Sequence, residues 1–119
     1  MKKIVSFVLI VLISVFFFGC ASAIVDGEHI KTSSNTLTPK EKDAVIDIYL
    51  SDKKPERLVK EVGRVSARAW VLEKGINELK IQARKIGADA IVNITYERRF
   101  SVDYLQDLYF LNGEAVIWK

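Results

Sequence analysis

Few side chains in these 119 residues could do chemistry. There is one cysteine, Cys20, and one histidine, His29 beside Glu28. A single cysteine makes no internal disulfide and no Cys-based zinc site. A single histidine excludes His–His metal spacings. The only close acidic pairs are Asp43 with Asp47 and Asp103 with Asp107. Either pair would need a cleft and a cationic neighbour such as Arg98 or Arg99 to do acid–base work. Solvated turns and the outer face of a strand are the plainer expectation. There is no Gly-rich phosphate loop and no nucleophile motif. No cofactor and no metal are implied, and the chain reads as not an enzyme. Arg98-Arg99 and Lys53-Lys54 could touch anionic lipid or polysaccharide, but such pairs are more often solvated surface.

Cys20 stands out by its place. Lys2 and Lys3 precede an uncharged stretch from Ile4 to Phe18, and Gly19-Cys20 follows directly. A cationic start and a short apolar run form an export signal. The run is short for a membrane-spanning helix, which needs about 20 apolar residues. Gly19-Cys20 resembles the lipobox of bacterial lipoproteins, with Phe17 and Phe18 where Leu and a small residue are usual. That resemblance implies cleavage before Cys20 and a lipid on its thiol, so that residues 1–19 are a lipoprotein signal peptide. Two or more acyl chains anchor a protein stably where one does not. Ala21 after the cysteine, rather than Asp, is similar to the pattern sorted to the outer membrane. This implies a cell-envelope location, with the domain facing the periplasm or the outside. Two other outcomes stay open: cleavage after Ala21-Ser22-Ala23, giving a secreted protein, or an uncleaved anchor extended through Val25.

The formal charge is +3. Without Lys2 and Lys3 the remaining side chains come within one charge of neutral, which is not a nucleic-acid footprint.

The elements that must position these residues follow from periodicity. Residues 20–42 show no sustained period and carry Thr32-Ser33-Ser34-Asn35-Thr36 before Pro39. They read as a lipidated N-terminus and a flexible linker. About 20 such residues reach about 65 Å extended or roughly 25 Å as a coil, enough to lift a domain off a membrane. His29 is then a solvated linker side chain.

Residues 43–119 read as one domain. Ala44 to Leu50 alternates as a half-buried strand. Leu58 to Val65 is a second strand, and a bulge at Gly63 would put Val62 and Val65 on one face. Ala69, Leu72, Ile76, Leu79, Ala83 and Ile86 form one helical stripe. Gly87 is placed to end the helix in the left-handed conformation. Ser66 could cap its start, or Trp70-Val71 could still be strand. Ala90 to Tyr96 is a third strand, with Ala90, Val92, Ile94 and Tyr96 toward the core. Asn112-Gly113 is a hairpin signal, yet Tyr109, Leu111, Gly113, Ala115 and Ile117 keep one apolar face through it. One long fourth strand is preferred, with Gly113 a bulge or close-packing point. The order is β-β-α-β-β, one helix on a mostly antiparallel sheet: an α+β fold.

Glu61-Val62-Gly63-Arg64-Val65-Ser66, then Ala83-Arg84-Lys85-Ile86-Gly87-Ala88-Asp89-Ala90-Ile91-Val92, then Gly113-Glu114-Ala115-Val116, resemble two related groups. One is the YbjQ-like family, named for heavy-metal binding. The other is the RcsF-like group of outer-membrane lipoproteins that report envelope stress. The domain departs from both in having no cysteine and, over 43–119, no histidine. Stress sensing and metal binding therefore do not carry over, while the resemblance implies ring-shaped homo-oligomers. Gly63, Gly87, Asp89 and Gly113 read as structural: Gly87 for its backbone, Asp89 for hydrogen bonds to nearby amides.

The expected function is a membrane-tethered envelope lipoprotein acting through protein–protein contact as a sensor, assembly or scaffold component. The alternative is an exported oligomeric module that binds a small molecule or metal. Homo-oligomerisation would add stability to so small a core.

Overall fold

The computed structural model describes residues 24–33 and 37–119. The signal segment and Cys20 lie outside the described residues. The elements are β1 (Val25–Lys31), β2 (Asp47–Leu50), β3 (Val59–Ala69), α1 (Leu72–Lys85), β4 (Ala90–Ser101) and β5 (Gln106–Trp118). They build a five-stranded sheet in the order β1-β3-β5-β4-β2. Every neighbouring pair is antiparallel except β2 with β4. The helix lies on one face, and the α+β class and its layering are as the periodicity predicts.

The linker expectation is corrected. Residues 25–31 are an edge strand, with Val25 opposite Ala69 and Lys31 opposite Gly63. Gly27 lets the helix approach this edge: a Cβ there would lie 2.6 Å from Glu78 Cγ. Residues 37–44 are also built in. Lys40 N donates to Arg84 O at 2.8 Å, Arg84 Nε donates to Ala44 O at 2.7 Å, and Leu37 packs on the core. Alternation could not reveal β1, because neither of its faces is apolar. Its partners in β3 are more than thirty residues away in sequence.

Two bulges switch the side-chain phase. The β3–β5 register shifts between Glu61 and Gly63, and Val62 and Val65 both enter the helix-side core. Gly63 is needed there: a Cβ would meet Ile30 O and Ile86 Cδ1, each at 2.7 Å. The β4–β5 register shifts between Val92 and Thr95, where Asn93 takes φ 53°. Asn tolerates that left-handed backbone better than most residues. Ile91 and Ile94 therefore share the helix-side core, while Val92 joins Ala90 and Val116 in a small cluster on the opposite face. This corrects the expectation that Ala90, Val92, Ile94 and Tyr96 face one core. Tyr96 is half exposed.

Strand β3 continues to Ala69, so Ser66 lies inside it and caps nothing. The helix starts after Val71, whose backbone is extended and which makes no side-chain cap. Its stripe of Leu79, Ala83 and Ile86 is buried, with Leu72 and Ile76 packed alongside. Strand β5 runs unbroken through Asn112-Gly113. A Cβ on Gly113 would lie 2.6 Å from Ile91 Cγ2, so it is a close-packing point beneath the second bulge.

Candidate functional site

The residues singled out by sequence gather first at one corner. Gly87 has φ +79°. Its N–H donates to Arg84 O at 3.1 Å, and Ala88 N–H donates to Ala83 O at 3.0 Å. This pair of bonds is a Schellman motif, which satisfies the last helical carbonyls. The next residue, Asp89, turns the chain into β4. Its Oδ1 accepts from Lys40 Nζ at 2.7 Å, and its Oδ2 accepts the Trp118 backbone N–H at 3.0 Å. Burial alone would raise the Asp89 carboxyl, but the bonds from Lys40 and Trp118 outweigh it and hold it below its ordinary value. Asp89 thus ties the 37–40 segment, the helix end and the last residues of β5 together. This corner has every feature of a structural clasp.

His29 is not a solvated linker residue. Its Nδ1–H donates to Gln82 Oε1 at 2.7 Å, and Gln82 Nε2 donates to Glu78 Oε1 at 3.0 Å. Gln82 is buried, so the relay satisfies a polar group between helix and edge strand.

The surface that could do something lies on the other side of the sheet. No helix covers it. A shallow trough of about 370 Å³ is lined by Glu28, Arg64, Ser66, Thr95, Asn112 and Glu114 among others. A neighbouring trough of about 310 Å³ shares Glu28, Ser66 and Asn112 and adds Asp26, Arg68, Arg99 and Phe110. The strand registers explain the arrangement. Glu28 stands opposite Ser66, Ser66 opposite Asn112, and Asn112 opposite Thr95. Four strands thus present one polar rung. The next rung is Asp26, Arg68, Phe110 and Glu97. Arg68 Nε donates to Asp26 Oδ1 at 3.0 Å, and this bond holds its guanidinium above its ordinary value. Arg99 lies over the Phe110 ring at 4.0 Å, a cation–π contact.

Such a face offers donors and acceptors of both signs on a rigid scaffold. The sequence did not mark it: Glu28 read as linker, Ser66 as a possible helix cap, Asn112 as part of a hairpin signal, and Thr95 alone as an outward strand position. Only the register brings them together.

The acidic pairs do not converge. Asp107 lies 3.6 Å from Arg98. Asp47 sits opposite Ala90, whereas Asp107 sits opposite Phe100. Ten residues of β4 separate those positions, about 34 Å of strand. Arg99 also pairs with Glu97 at 2.7 Å. Among the described residues, no group of three His, Cys, Asp or Glu is placed to hold a metal ion.

No family model and no curated protein matches the chain. Among solved structures, the chain is similar to the crystal structure of a Francisella virulence factor, FvfA, in its orthorhombic form. The two share 15% sequence identity at a TM-score of 0.58. The match covers 77% of this chain and 98% of that one. At that identity the likeness is one of fold.

Proposed function

We propose that this chain is a bacterial envelope lipoprotein, held on a membrane through lipidated Cys20, that acts without catalysis by binding another envelope protein. The observation that carries the reading is the placement of Gly19-Cys20. It directly follows the apolar run Ile4 to Phe18, and only a few residues further on the sheet begins at Val25. The uncovered sheet face supplies the contact surface. Arg64, Arg68 and Arg99 stand on it among Asp26, Glu28, Glu97 and Glu114, and Arg is enriched at protein interfaces. A partner bearing both charge signs would complement it. The resemblance of the Gly87-to-Asp89 turn to the RcsF-like lipoproteins supports an outer-membrane location.

Two measurements test the reading. The intact mass of protein extracted from bacterial membranes should correspond to a chain starting at Cys20 with two or three acyl groups. An unlipidated chain starting at Ile24 would remove the tether. A photocrosslinking residue at Thr95 or Asn112 should capture one discrete partner in cells, and the same residue at Lys74 on the outer side of the helix should not. Equal capture at both places, or none, would remove the contact role of the open face.

A further inference from the structure

The end of the sheet nearest the anchor is apolar where it should be wet. Trp70 is 43% exposed, Phe100 60%, Val102 78% and Leu105 75%. All four lie at one end of the molecule. Trp70 follows the last residue of β3, and its N–H donates to Ile24 O at 3.2 Å. Phe100 is the last residue but one of β4, opposite Asp107, and Val102 and Leu105 bound the turn beyond it. Leu105 holds φ 53°, a left-handed backbone that suits Gly or Asn and strains a bulky residue. An exposed leucine kept there against its own backbone preference points to a use for the side chain.

The chain length outside the sheet says what covers this end. Ala69 faces Val25 on one side and Tyr109 on the other. The β4–β5 hairpin continues past that level by three pairs, Arg99–Leu108, Phe100–Asp107 and Ser101–Gln106. Its tip therefore projects about 10 Å beyond the start of β1. Five residue steps join Cys20 to Val25, at most about 18 Å of chain. The tether is thus too short to lift this end far from a bilayer.

We infer that the rim formed by Trp70, Phe100, Val102 and Leu105 docks into the lipid surface that holds Cys20. The inference rests on the lipoprotein reading above. It orients the sheet strands along the membrane normal, with the open face turned sideways toward a partner. Trp and Tyr side chains favour the membrane interface, and Tyr104 stands beside the tip with Arg68 at 5.5 Å from its ring. Around the rim Arg98 pairs with Asp107 and Arg99 with Glu97, and Asp103 within the turn lies in the field of Arg68, so no net cationic patch faces the lipid. Docking is then apolar and indifferent to lipid charge.

The test uses the mature protein extracted from membranes, with its N-terminus and acyl state read by mass. It is reconstituted into phosphatidylcholine vesicles brominated on the acyl chains, with and without phosphatidylglycerol. Tryptophan emission should be quenched and blue-shifted equally in both lipids. Trp70→Phe should abolish the quenching, because Trp118 lies at the far end of β5, about 31 Å along the strand from the level of Ala69. The double variant Val102→Asn with Leu105→Asn, at exposed positions, should keep its far-UV circular dichroism and its acyl mass yet lose the quenching. Acylated protein whose Trp70 emission ignores brominated lipid would overturn the docking and leave the anchor standing. Absence of lipid on Cys20 would overturn both. A dimer in detergent that the double variant dissolves, with no quenching in vesicles, would give the rim to a second copy and overturn the inference.

Discussion

The two ends of the sheet are built on opposite rules. At the end holding Asp89, polar bonds and ring contacts join the segments, although Val45 and Leu58 nearby stand 83% and 77% exposed. The Schellman turn caps the helix, Lys40 and the Trp118 amide fill the Asp89 carboxylate, and Tyr49 packs edge-on against Trp118 at 6.4 Å. Arg57 covers the same indole at 4.8 Å. At the other end, large apolar side chains stand in the open and Leu105 sits in a backbone it disfavours. The Asp89 end is held by bonds that join three segments, while at the Trp70 end the ion pairs Arg68–Asp26, Arg98–Asp107 and Arg99–Glu97 lie beside apolar side chains left in the open.

Substitutions should separate the two ends by size and sign. The largest effect is expected at Gly87→Ala. The left-handed backbone costs about 1–2 kcal/mol for a residue with a Cβ. That Cβ would also lie 2.6 Å from Thr38 O, adding an overpacking cost of about 1–3 kcal/mol. Urea unfolding of the full chain should show the sum as a lower midpoint. An unchanged midpoint would mean the corner is looser than described.

Asp89→Ala should cost about 1–3 kcal/mol, because the Trp118 amide and Lys40 lose their acceptor. The pH dependence carries a sign. Asp89 has a folded value below its unfolded one. Its contribution is fully present above the unfolded value, near 3.9, and is lost as pH falls from there through the folded value. The native protein should therefore lose stability over that acidic window more steeply than the variant. Parallel pH curves would separate Asp89 from acid unfolding.

A smaller effect is expected at the edge strand. His29→Ala removes the donor to buried Gln82 and should cost about 1 kcal/mol. Hydrogen exchange should quicken along β1 more than along β5. Uniform quickening would mean that β1 does not open on its own. The smallest effect, and the one of opposite sign, belongs to the end bearing Leu105. Leu105→Asn should leave stability unchanged or raise it by up to about 1 kcal/mol. A clear loss at that position would erase the contrast between the ends.

The apolar stripe of α1 was legible from its 3.6 period, and Gly87 as its stop from the backbone that a helix end requires. The unbroken β5 was legible because its apolar face continued through Gly113. The bulge near Gly63 was legible because Val62 and Val65 needed one. The bulge at Asn93 was not, since Ala90, Val92, Ile94 and Tyr96 alternate well enough without it. Nor was β1, whose residues read as polar chain.

Local pattern thus determined which segments could be strand or helix, because burial imprints its period on the residues that face the core. Cys20 was singled out by its position in the chain alone, and it lies outside the described residues. The tertiary structure decided what no local period encodes. It set the pairing of residues 25–31 with 63–69, the phase on each side of Asn93, the polar rungs of the open face, and the gathering of Trp70, Phe100, Val102 and Leu105 at one end. Each of these depends on contacts between segments far apart in sequence, and such contacts exist only once the sheet has closed.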